Sequence, residues 1–242
     1  MQTPAALPIP PLPGATPCIT GISSMATRAV FNELATGGAL AGIALAIESV
    51  GGLDAARRVQ AGEHFDIVVL AAEAIDRLAA SGQVVAGSRV DLVHSAVAVA
   101  VREGAPRPDL RSEDAVRSAV LAAPRIGFST GPSGVQVQKL FDRWGITPAL
   151  QGRLVQAPPG VPVAGLLARG EVDLGFQQLS ELLHVPGITV VGALPPAIQI
   201  HTTFSVGLCR SSVQAPAVQV LLGRLRSASA AAVYRRHGMT LA

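Results

Sequence analysis

Turns carrying hydroxyls and glycines stand where strand patterns give way to helix patterns, and they hold most of the chemistry this chain offers. The stretch GFSTGPSGVQVQKLF (127–141) leaves a small apolar lead-in at Phe128. It then sets Ser129, Thr130 and Ser133 around Gly131 and Gly134 and becomes helical. A helix start presents unpaired N–H groups and the positive end of the helix dipole, a combination that attracts anions. Glycine lets the backbone come close, and hydroxyls add neutral donors. The same construction recurs at TGISSMATRAV, which contains Ser23 and Ser24, at IESVGGLDAARR, which contains Ser49, and at GFQQLSELL. Four such turns converging on one cleft would make an anion site. Serine and threonine also cap helices with no ligand, so the recurrence carries the reading rather than any single turn. GPSG lacks the Gly-Lys-Ser/Thr ending of a phosphate loop.

The elements that would position these turns alternate. CITGI, GIALAIES, FDIVVLA and HSAVAVAVRE read as strands. MATRAVFNELA, DAARRVQAGE and EAIDRLAASG read as the helices between them. A second series follows: helix SEDAVRSAVLAA, strand RIGFS, helix SGVQVQKLFDRWG, strand LVQAP, helix VPVAGLLARGE, and VDLGFQQLSELL passing from strand to helix. GITVVGAL and TTFSVGLCR close the strands, and APAVQVLLGRLRSASAAAVYRRHG is expected to be C-terminal helix. Such alternation predicts an α/β fold with mostly parallel sheets flanked by helices. Two series in one chain, with strands near 95–102 and 202–209 crossing between them, predict two lobes and a cleft. The expected division is a proline-rich arm over 1–17, one lobe from 18–98 plus 206–242, and a second from 99–205.

The totals narrow the function. Of 242 residues, 49% are hydrophobic and 14% charged, the balance of a globular chain with a full core. The net charge is +3, but the arginines are dispersed and aromatics make up only 3%. No nucleic-acid surface is therefore expected. No apolar run reaches the roughly 20 residues of a membrane-spanning helix. Cys18 and Cys209 belong to no ligand motif and read as buried free thiols, so neither a metal nor a cofactor is expected. The N-terminal MQTPAALPIPPLPGATP has six prolines and no secretory pattern. It places the chain, as written, in the cytoplasm, or in the periplasm if a leader has been removed.

GISSMATRAVFNELA, VQAGEHFDIVVLAAEAIDRLAASGQVVAGSRVDL, VAVREGAPRPDL, IGFSTGPSGV, LLARGEVDLGFQQLSELLHVPGI and YRRHGM occur in order over about residues 18–240. This series resembles the molybdate-binding-protein-like branch of the type 2 periplasmic binding proteins. The resemblance implies two Rossmann-like lobes joined by two crossover strands and closing on an oxyanion. It further implies that Ser23 or Ser24, Ser49 and Ser133 supply hydroxyls and that Val155 lies near a backbone contact. Gln177 or Gln178 stands where molybdate binders often carry tyrosine. A carboxamide, both donor and acceptor, suits a carboxylate better than a bare tetrahedral anion.

The resemblance implies first a non-catalytic binder of a small oxyanion or a di- or tricarboxylate, with a transporter permease as partner if the chain is exported. The branch also includes aconitate isomerase, which implies as the alternative a 1,3-proton shift in an unsaturated carboxylate. That reaction needs a base near neutral pKa and clamps for the carboxylates. Arg28 and the helix starts, including Ser129, Thr130 and Gly134, are the candidate clamps. His201 is the candidate base and His94 the next, although a structural histidine is the commoner case. His64 and His237 read as solvent-facing, and Glu181 as a helix-surface acid. A third class, the sensor domain of a transcription regulator, is disfavoured because only the proline-rich arm precedes the first strand.

Overall fold

The computed structural model describes residues 17–40 and 42–242; the proline-rich arm before Pro17 lies outside the described residues. The first sheet contains parallel strands β1 (Cys18–Ser24), β2 (Ala44–Val50) and β3 (Ile67–Ala71) in the order β2-β1-β3. Helices α1 (Arg28–Thr36), α2 (Gly52–Gln60) and α3 (Ala72–Ala80) connect and follow them. The second sheet is built around parallel β5 (Ile126–Phe128), β6 (Leu154–Gln156) and β7 (Leu174–Gln178), with β5 in the middle. Its helices are α4 (Glu113–Ala122), α5 (Pro132–Arg143), α6 (Val163–Ala168) and the single turn α7 (Leu179–Leu182).

One long strand, β4 (Val90–Arg102), joins the lobes. Its first part pairs antiparallel with β9 (His201–Leu208), from Val90–Val206 to Ala96–His201. From Val97 onward it pairs with β7, and from Ala98 with β8 (Ile188–Ala193), both antiparallel. β9 in turn pairs antiparallel with β3. The parallel sheets expected from the alternation are thus confined to the outer strands of each lobe. The central strands run antiparallel, because the chain crosses between the lobes along β4 and returns through β9.

The two-sided cores follow from strand periodicity. Ile67 and Val69 of β3 face Phe31, Leu34 and Tyr234, whereas Val68 and Leu70 face Val59, Ile75 and Leu78. In β4, Val97, Val99 and Val101 join Phe128, Phe141 and Phe176 on one side. Ala98 and Ala100 meet Val163, Leu167 and Leu182 on the other. A strand buried on both faces reads as a continuous apolar run, as IVVL and AVAVAV do.

The C-terminal helix is two helices, α8 (Ala215–Leu225) and α9 (Ala228–Arg236), followed by a short strand β10 (Met239–Leu241) on β4. The break has a local cause: the Ser227 hydroxyl accepts from Ala230 N at 3.2 Å and starts a new helix. Asp66 anchors the segment before α8. Only 1% exposed, it accepts from Thr20 N (2.9 Å) and Thr20 Oγ1 (3.0 Å), and from Ser212 Oγ (2.6 Å) and Gln214 Nε2 (3.1 Å). Burial pushes its pKa up, but the hydrogen bonds from Ser212 and Thr20 outweigh it and hold the carboxyl below its ordinary value. Both cysteines are free. Cys209 is buried, and burial pushes its thiol up to about 12; Cys18 is exposed, contrary to the expectation of two buried thiols, because it opens β1 at the protein surface.

Candidate functional site

The parallel strands of both sheets end toward the gap between the lobes, and helix starts crowd that gap. A cavity of about 100 Å³ lies there. All four turns singled out in the sequence line it: Ser24, Met25 and Ala26 after β1; Gly51, Gly52 and Leu53 after β2; Ser129 to Ser133 after β5; and Gln177, Gln178 and Glu181 at the β7–α7 junction. The turn before α6 (Gly160, Val161 and Pro162) and the start of α3 (Ala71 and Ala74) complete the wall. Among the lining residues only Glu181 and Arg77 carry charge.

The hydroxyls are held by local structure. Ser24 caps the short 3-10 turn Met25–Thr27, its Oγ accepting from Ala26 N at 3.4 Å. Ser129 and Ser133 share a hydrogen bond of 3.2 Å across the first turn of α5. Gly134 does not line the cavity; it sits behind the turn, where an added Cβ would stand 1.8 Å from the Ser129 carbonyl oxygen. Its missing side chain lets α5 start close against β5 and brings Ser133 to the wall.

Other sequence candidates fall outside the cavity lining. Ser23 is fully buried and spends its hydroxyl on Ser49 Oγ at 2.8 Å, across the β1–β2 pairing. Ser49 and exposed Arg28 line an adjoining depression that shares Met25, Gly51, Leu53 and Gly160 with the main cavity. Val155 packs beside Val163 and Leu167 in the core of the second lobe. His201, the candidate base, is exposed at the start of β9 and absent from the lining. The β4 pairing at Ala96 turns it outward, while the next residue, Thr202, lines the cavity. His94 is engaged by Thr203 Oγ1 at 3.0 Å. His64 is exposed, as expected. His237 instead tucks against α1, its Nε2 2.7 Å from Glu33 Oε2, because α9 ends against that helix.

At the β7–α7 junction the candidates Gln177 and Gln178 stand beside Glu181, whose setting the sequence reading missed. Gln177 is 3% exposed. Its Oε1 accepts from Ala164 N at 3.2 Å, which fixes the carboxamide so that Nε2 donates to Glu181 Oε1 at 2.9 Å. Glu181 is thus a half-buried acid of the cavity wall and not a freely exposed one. Burial pushes its carboxyl up to about 7, with the Gln177 bond opposing only in part. Gln178 is also 3% exposed; Nε2 donates to Thr202 Oγ1 at 2.6 Å, and Oε1 has no partner. Sequence carried no signal of this, since Gln177 lies in a strand and Glu181 in a single helical turn, where helical spacing rules do not link them. Arg77 on α3, exposed at the rim, was also unmarked, since nothing in EAIDRLAASG sets it apart from other helix-surface arginines.

Comparison with known proteins agrees with this architecture. Aconitate isomerase from a Pseudomonas species is 38% identical over 146 residues, which is 60% of this chain and 55% of the relative's length. The chain thus spans little more than half of that relative. The periplasmic molybdate-binding protein of Azotobacter vinelandii superposes with a TM-score of 0.75 at 20% identity, covering 93% of this chain and 99% of the other. The tungstate ABC transporter structure from Geobacter sulfurreducens gives 0.71 at 11% identity, covering 90% and 98%. At such identities these likenesses establish the two-lobe type 2 periplasmic binding fold. A family model described as bacterial extracellular solute-binding protein matches residues 19–240, nearly the whole described chain, and the protein belongs to that family.

Proposed function

We propose that this protein binds a small anion, best a di- or tricarboxylate, in the interlobe cavity. The observation that carries the reading is the meeting of four hydroxyl- and amide-bearing helix starts around one small space. Ser24, Ser129, Thr130 and Ser133 and the helix-start amides are donors to the anion, and Arg77 attracts it at the rim. Arg28 and Ser49, in the adjoining depression, take a second carboxylate of a longer ligand. The lobes that close on it are 18–98 plus 206–242 and 99–205, and the antiparallel pairing of all of β9 favours a return nearer His201. Ser180 Oγ donates to Ala26 O at 2.8 Å across the gap, a contact suited to the closed form. If the chain is exported, the closed form is presented to a transporter permease in the periplasm, in keeping with the transporter named among the structural neighbours.

A thermal-shift screen of tricarballylate, citrate, sulfate and molybdate tests this, because a ligand of the native state raises the midpoint. A raised midpoint with a carboxylate supports the reading, and no shift with any of the four at millimolar concentration overturns it.

One observation favours a second reading, an isomerase of an unsaturated carboxylate. Glu181 lies in the cavity with a carboxyl near neutral pKa, where a general base is most effective. Its carboxylate takes a proton from a carbon next to a substrate carboxylate. The freed C–H pair forms the new double bond, and the old double-bond pair takes the proton back from Glu181 at the far carbon. The aconitate isomerase relative is consistent with this chemistry. Proton NMR of aconitate with the protein in D2O tests it: deuterium incorporation supports turnover, and an unchanged spectrum from a bound ligand rejects it.

A further inference from the structure

Two of the residues that line this donor-rich cavity carry acceptors that the protein answers only in part or not at all. Gln178 Oε1 has no partner although the residue is 3% exposed. Glu181 receives one hydrogen bond, from Gln177, and makes no ion pair among the described residues. Gln177 cannot turn to supply more, because its own oxygen is occupied by the Ala164 amide. The only other charged side chain in the lining, Arg77 of α3, sits at the exposed rim and does not pair with Glu181. The strands and turns packed around α7 add only hydroxyl, carboxamide and apolar side chains to this wall. An ionised carboxylate facing an anionic ligand here would meet repulsion and an unpaired acceptor together.

Resting on the anion-binding reading above, we propose that Glu181 and Gln178 make the site selective for a weakly acidic carboxylate bound together with one proton, which is shared between Glu181 and the ligand. A carboxylate can carry that proton on either partner and turn an O–H toward an acceptor. Sulfate, fully deprotonated near neutral pH, offers no hydrogen to Gln178. Glu181, pushed up to about 7 by burial, is ionised in the free protein above that pH and must regain its proton on binding. Below pH 7 the proton is already in place. Affinity therefore falls about tenfold per unit above pH 7.

Isothermal titration calorimetry at pH 8, with tricarballylate and then sulfate, in Tris and in HEPES, reads the proton directly, because the two buffers release it with different heats. The expected result is uptake of about 0.9 proton with tricarballylate, from a carboxyl titrating near 7, and sulfate binding at least tenfold weaker. Glu181→Gln, checked for folding by circular dichroism, removes the uptake and binds tricarballylate about thirtyfold more tightly than the wild type at pH 8.5. Tricarballylate binding with the same apparent heat in both buffers, or sulfate binding as tightly as tricarballylate, overturns this inference and leaves the anion site standing. Failure of every anion to bind overturns the anion reading itself. The wild-type measurement decides the matter even if the variant does not fold.

Discussion

Gly134→Ala is the sharpest test of how the site is built. The new Cβ would stand 1.8 Å from the Ser129 carbonyl oxygen, 2.8 Å from its carbonyl carbon and 3.2 Å from its nitrogen. Non-bonded contacts of this kind are not tolerated below about 3 Å, so the start of α5 must retreat from β5 by roughly 1 Å. The obstacle is backbone and cannot swing away like a flexible side chain. Overpacking of a buried position costs about 1–3 kcal/mol, and this clash belongs at the upper end. For a chain of this size each kcal/mol lowers the unfolding midpoint by roughly 2–4 °C, so a fall of about 6–12 °C is expected. The same retreat breaks the 3.2 Å Ser129–Ser133 hydrogen bond and withdraws Ser133 from the cavity wall. Donors to a charged ligand contribute about 1.5–3 kcal/mol each, so affinity for a bound carboxylate should drop tenfold or more. Differential scanning fluorimetry with and without tricarballylate measures both effects. A midpoint within 2 °C of wild type with an undiminished ligand shift would refute the close-approach argument and the placement of Ser133.

Ser133→Ala removes the hydroxyl without moving the helix, and it should weaken carboxylate binding by roughly 1–3 kcal/mol with little change in stability; titration calorimetry gives the answer. His201→Asn should leave both binding and any deuterium exchange unchanged, because the imidazole is exposed outside the cavity; loss of exchange would return it to candidacy. Asp66→Asn should destabilise the fold by about 2–4 kcal/mol at pH 7, since an amide cannot accept from all of its donors. The folded-state pKa of Asp66 is depressed, so its stabilisation is present above the ordinary carboxylate range and is lost as pH falls through the lowered value. Urea unfolding at pH 7 and pH 3 should therefore show the gap between variant and wild type narrowing in acid.

Sequence by itself determined much of this protein. The periodicities of IVVL and AVAVAV fixed strands buried on both faces, and the alternation of strand and helix patterns fixed two α/β units. The Ser, Thr and Gly turns marked four of the corners that surround the cavity, because the residue types that suit a helix start also suit an anion. Tertiary structure alone decided which of two adjacent residues faces the gap. Ser24 faces it and Ser23 does not, since neighbours in a strand point to opposite sides and only the β1–β2 pairing tells which side is filled. The same alternation turns Thr202 inward and His201 outward. The direction of the central strands, the short strand β10 and the partial burial of Glu181 likewise arise from contacts between segments far apart in the chain. Glu181 reads as an ordinary surface acid in LSELL and becomes a near-neutral carboxyl only where α7 packs against the opposite lobe and sheds water, an effect the Gln177 hydrogen bond opposes in part. Local sequence encodes the shape of each piece, whereas desolvation and charge depend on everything that comes to surround it.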